Sequence, residues 1–170
     1  MKHQLLIVFV ILLVIFTTSC RKDADFEVNR VPIIESLKVE HFAFEGQVDS
    51  ERRNLLQNVV IINSIEQLTY PFEIWDLETP NDLKQFDYEK YTLLLRFNVD
   101  LGIRKDIEHL VTRNYKTGIY TYMIIFNANE AYHEDDRANH SEIFFFHTGI
   151  LIDKIAEDSK IEAIQGISWR

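Results

Sequence analysis

Two imidazoles and four carboxylates fall within ten consecutive residues, His133-Glu134-Asp135-Asp136-Arg137-Ala138-Asn139-His140-Ser141-Glu142. This is the densest cluster of groups that could hold a metal ion or move a proton. Imidazole nitrogens and carboxylate oxygens are what zinc and calcium take as ligands, so His133, Asp135, Asp136 and His140 are the candidate metal ligands. Spacing argues against them. The histidines stand seven apart with no helical pattern to bring them to one face, and the glycine of a calcium loop is missing. The run sits between two apolar, strand-like stretches, where a long solvated hairpin loop is expected. The reading is therefore a plain loop, with no metal and no cofactor.

Other chemistry is weaker still. Asp87 with Glu89, and Glu130 with Glu134, could pair as the acid and base of a glycosidase. That chemistry is decided by the separation of the two carboxyls, and among 27 acidic residues chance pairs are unavoidable. His41, His109 and His147 each lie beside apolar residues in strand-like segments, so they read as packed or edge residues rather than general bases. A Gly-x-Ser-x-Gly elbow is absent, and five scattered glycines build no phosphate-cradling loop. No catalytic residue is assigned. Tyr70, Phe72, Trp75, Phe86, Tyr88 and Tyr91 could form a stacking platform, but short helices need such residues to cling to a sheet, and core packing is the preferred reading.

The lone cysteine carries a more specific signal. Lys2 precedes an unbroken apolar run from Leu5 to Phe16, followed by Thr17-Thr18-Ser19 and then Cys20. A charge, a short apolar core and small residues form an export signal; a membrane span needs about 20 apolar residues. A cysteine directly after the small residues resembles the lipobox of bacterial lipoproteins. The resemblance implies cleavage between Ser19 and Cys20, with lipid on the Cys20 sulfur. One acyl chain binds a membrane only marginally, on the order of 10⁴ M⁻¹, whereas two or more hold it stably. Lys22, Asp23 and Asp25 just beyond resemble the surface-export signal of Bacteroidota lipoproteins. Residues 1–19 are thus expected to be a signal peptide, 20–31 a lipidated polar tether and 32–170 a single globular β-rich domain.

Charge narrows the partners. The formal charge is −9, and removing residues 1–19 takes away one lysine and makes it −10. Nucleic acid is excluded as a partner on that balance, because its affinity comes largely from phosphate neutralisation. Anionic headgroups would repel the domain too, so membrane attachment must come from lipid on Cys20. A protein or glycan partner stays open.

The elements that would position these groups are mostly strands. Tyr91, Leu93, Leu95, Phe97 and Val99 alternate with Thr92, Arg96, Asn98 and Asp100, a period of two. Residues 105–114 and 118–127 read as a hairpin turning through Tyr115-Lys116-Thr117-Gly118, with Gly118 free to take positive φ. Ile143–Thr148 and Ile150–Ile155 read as strand hinged at Gly149, Lys160–Ile164 as a last strand and Val59–Asn63 as a short one. Ser64-Ile65-Glu66-Gln67 is a capping box for a short helix that Pro71 should limit. Thr79-Pro80-Asn81-Asp82 predicts a turn or two of helix over 80–86, and Ser50–Asn58 is ambiguous. The fold class is α+β or mainly β, a single antiparallel-sheet domain with two or three short helices.

The segments Val59-Val60-Ile61-Ile62-Asn63-Ser64-Ile65-Glu66-Gln67-Leu68 and Phe86-Asp87-Tyr88-Glu89-Lys90-Tyr91-Thr92-Leu93-Leu94-Leu95 resemble a pattern of small, uncharacterised Bacteroidota lipoproteins. Their layout is also distantly similar to the protease-complex subunit domain of exported bacterial proteins. The resemblance covers roughly residues 59–95 and implies no active-site residue. What it implies, with the lipobox, is an outer-membrane lipoprotein of the cell envelope, facing the surface or the periplasm. A non-enzymatic binding or accessory module is the leading expectation. A lipid-anchored hydrolase of glycan or peptide, or a protease inhibitor or accessory subunit, are the alternatives. Bound metal, or convergent buried carboxylates in a pocket, would favour the hydrolase, and an exposed aromatic patch or an open sheet edge would favour the binding module.

Overall fold

The structure, a computed structural model, describes residues 28–99, 107–128 and 144–169. The expected signal peptide, Cys20, Lys22, Asp23 and Asp25 lie outside the described residues. So do Glu130 and the 133–142 run with His133, Asp135, Asp136 and His140. In chain order the elements are β1 (Val28–Arg30), β2 (Ile33–Ser36), β3 (Glu40–Ala43), α1 (Ser50–Gln57), β4 (Val60–Ile62) and α2 (Ile65–Glu73). A 3-10 turn (Leu83–Gln85) then leads to β5 (Tyr91–Val99), β6 (Ile107–Asn114), β7 (Tyr120–Ala128), β8 (Phe144–Asp153) and β9 (Ile161–Trp169).

The strands form two sheets, one ordered β1-β6-β7-β9 and the other β2-β8-β5-β4, with β3 also paired to β8. Pairing is antiparallel in both, except that β9 runs parallel to β7. Period two explains how the layers stack. Leu93, Leu95 and Phe97 of β5 point to a core shared with Leu68, Phe72 and Trp75 on the helical side. Leu94 points the other way, into a core with Val111, Tyr122 and Ile124 of the first sheet. Strands buried on both faces read as near-continuous apolar runs, and β5 with its Leu93-Leu94-Leu95 centre is one. The order of layers is thus helices, β5 sheet, β7 sheet.

Local chemistry sets most boundaries. Asp49 caps α1 by accepting from the Arg52 backbone N–H at 2.9 Å, which turns the ambiguous 50–58 segment into helix. The hairpin turn forms as expected, with Gly118 at φ +72° and Asn114 Oδ1 accepting from the N–H groups of Lys116 and Thr117.

Several expectations are corrected. The sheet begins at Val28, which pairs with Asn114, so residues 28–30 of the expected 20–31 tether are strand. Ser64 is the N-cap of α2 but makes no side-chain cap bond, and Gln67 Oε1 accepts instead from the Asn63 N–H at 2.7 Å. Pro71 does not stop α2, which runs on to Glu73 because Leu68, Pro71 and Phe72 are all buried against the sheet. The 80–86 helix is only the 3-10 turn, capped by Asp82. Gly149 is no hinge. It sits within a continuous β8 because a Cβ there would lie 2.6 Å from the Leu94 carbonyl oxygen, a close approach only glycine allows. The last strand extends to Trp169 rather than ending at Ile164.

Candidate functional site

Alternation on β5 predicts a polar face carrying Thr92, Arg96 and Asn98. The first sheet covers that face, so all three are buried. Thr148 of β8, His109 of β6 and Tyr122 of β7 complete a polar cluster between the sheets. The Tyr122 hydroxyl lies 2.9 Å from His109 Nδ1, and the Thr148 hydroxyl lies 3.3 Å from Nε2. A neutral imidazole has one donor and one acceptor, so a hydroxyl on each nitrogen satisfies both. Burial holds the His109 pKa down at about 4 and pushes that of Tyr122 up. Arg96 is 6% exposed; its Nε donates to Asn98 Oδ1 at 3.2 Å, and desolvation lowers its pKa. His109 is thus engaged at both nitrogens and neutral at neutral pH.

His147 sits on the opposite face of β8, against the rings of Phe72 and Phe97, and is 5% exposed. Its Nε2 lies 3.3 Å from Glu40 Oε2 on the neighbouring β3. Burial takes its pKa to about 4 against the opposing pull of Asp82, so at neutral pH the ring is neutral and its approach to the Glu40 carboxylate is not an ion pair. The recess beside it, lined by Leu37, Glu40, Asp82 and Leu83 among others, holds about 20 Å³, room for one water. His41 lies over Phe146. Among the described residues, no group of three or more His, Cys, Asp or Glu side chains is placed to hold a metal ion.

Of the carboxylate pairs, only Asp87 with Glu89 is described. Asp87 pairs with Lys90 at 2.9 Å and accepts from the Glu89 backbone N–H, and the lysine holds its pKa below the usual carboxylate range. That is the opposite of what the acid of a glycosidase pair requires, so Asp87 does not fit that role. The aromatic residues divide as core packing requires. Phe72, Trp75 and Tyr88 are buried, Phe86 and Tyr91 pack against the same core, and only Tyr70 is well exposed, at 55%. Tyr88 donates to the Leu83 carbonyl at 2.9 Å, and burial pushes its pKa up to about 12.

Of the edge strands, β9 is the longest whose outer side is unpaired among the described residues. Its nine residues pair with β7 without a break, Tyr120 to Ile161 through Ala128 to Trp169, and among the described residues nothing pairs with its other edge. Ile164 is 43% exposed and Ile167 is 44% exposed. On the outer face, Ile164 continues a row through Met123 and Leu110 of the neighbouring strands. Natural edge strands are guarded by proline, lysine, bulges or shortness, and β9 has none of these. The sequence signal was present in the alternation of Ile161, Ala163 and Ile167, but reading the strand only to Ile164 concealed it. No protein-family model, no curated protein and no solved structure matches this chain.

Proposed function

We propose that the protein is a lipid-anchored protein of the bacterial envelope whose domain is a non-enzymatic binding or accessory module working through the outer edge of β9, unpaired among the described residues. The open edge is the observation that carries this reading. Unpaired backbone groups along a regular strand accept an added strand, and alternating side chains supply selectivity. Two of the histidines support it, since burial holds His109 and His147 neutral and His109 is engaged at both ring nitrogens. Attachment rests on the apolar run from Leu5 to Phe16 and on Cys20. The acidic balance makes lipid the means of attachment.

Palmitate labelling of cells expressing the wild type and Cys20→Ala tests the anchor. Label is expected on the wild type and lost in the variant, which should accumulate as unprocessed precursor. Label persisting in Cys20→Ala would overturn the lipoprotein assignment.

A further inference from the structure

We propose that the partner of the β9 edge is a second copy of this chain, bound by antiparallel pairing of the two β9 strands about a two-fold axis at Gln165. The inference rests on the binding-module reading above and names its occupant. It comes from what such a register places opposite what. Residues whose numbers are symmetric about 165 face each other, so Ile164 of each copy meets Gly166 of the other on the outer face. A Cβ built on Gly166 meets nothing within 4 Å, so the backbone there is an open notch. The exposed Ile164 is the knob that such a notch lacks, and a side chain laid over an edge glycine restores the packing that glycine omits. The two-fold makes this fit twice.

The other face repeats the pattern, with Ala163 opposite Ile167, small against large. The only charged residue of the strand, Glu162, falls opposite Ser168, so within Ile161–Trp169 no like charges face each other. An isologous contact of this kind closes after two copies and does not propagate into fibres. Confinement of anchored copies to one membrane surface raises their effective concentration, so a single strand pair need not be tight to be populated.

The test uses the full chain in native membranes. With Cys20 lipidated, Gln165→Cys carries the only free thiol. Paired residues on antiparallel strands stand about 4.5–5.5 Å apart at Cα, within the range a disulfide spans. Mild oxidation should convert most Gln165→Cys protein into a disulfide-linked dimer, while the wild type and Tyr70→Cys, exposed on the helical side, stay monomeric. Adding Gly166→Val fills the notch without crowding the monomer, and should reduce the dimer at least tenfold with the thermal midpoint unchanged or raised. A photo-crosslinking benzoylphenylalanine at position 165 in living cells separates the possible failures. Product at twice the chain mass supports the dimer. Product only at other masses overturns it and leaves the edge-binding reading standing. Efficient incorporation with no product overturns both.

Discussion

The Tyr122 hydroxyl on β7 and His109 Nδ1 on β6 are hydrogen-bonded at 2.9 Å across the face that the first sheet turns toward β5. The bond joins two groups that burial drives in opposite directions. Burial lowers the pKa of the imidazole and raises that of the phenol, so both are neutral over the physiological range.

Stability should therefore fall with acid in a defined window. The folded-state pKa values of His109 and His147 are both held near 4, below the ordinary 6.5. The unfolded chain then binds more protons between these limits. The stabilisation from keeping the rings neutral is present above pH 6.5 and is lost as pH falls toward 4. Each ring contributes up to about 1.4 kcal/mol per pH unit inside the window. Urea midpoints should drop steadily from pH 6.5 to 4.5, with a shallower slope in His147→Phe. A flat profile would show that the rings are not buried neutral.

Two glycines on strands should respond oppositely to the same substitution. Gly149→Ala drives a methyl to 2.6 Å from the Leu94 carbonyl oxygen and 3.1 Å from Leu37, so a loss of about 1–3 kcal/mol is expected. Gly166→Ala adds its methyl in open space and should be neutral or stabilising by about 0.5–1 kcal/mol. Chemical denaturation of the two variants checks the contrast.

One lysine ties together the segments that follow β4, precede β5 and follow β8. Lys154 Nζ donates to the carbonyls of Asn63 and Tyr88 at 2.7 and 2.5 Å. Beside it, the Thr92 hydroxyl donates to Asn63 Oδ1 and accepts from the Ile155 N–H. Lys154→Met and Thr92→Val should each cost about 1–3 kcal/mol by leaving these groups unpaired. Because both act on Asn63, the double variant should depart from additivity by 0.5 kcal/mol or more, on the order expected for neighbours in one network. Additive losses would show that the two contacts are independent.

Surface display is expected if Lys22, Asp23 and Asp25 are read as an export signal. Protease added to intact cells should then remove the domain, and Ala at all three positions should protect it. Protection of the wild-type protein in cells shown to be intact would place the domain on the periplasmic side.

The sequence alone determined what short-range chemistry controls. The 115–118 turn follows from Asn114 and Gly118, and the Ser64 helix start and the two faces of β5 follow from local pattern. Strand period assigns Thr92, Arg96 and Asn98 to one face because successive side chains alternate. It does not say what covers that face. Only the stacking of one sheet on the other turned that polar face into a buried cluster with His109, Tyr122 and Thr148, residues contributed by β6, β7 and β8. The same limit explains Gly149, whose neighbour Leu94 is 55 positions away in the chain, and Pro71, tolerated because buried neighbours hold the helix together. It explains β9 most of all. Its residues spell a strand, but whether a strand is central or at an edge depends on which others reach it, and pairing partners are chosen across the whole fold.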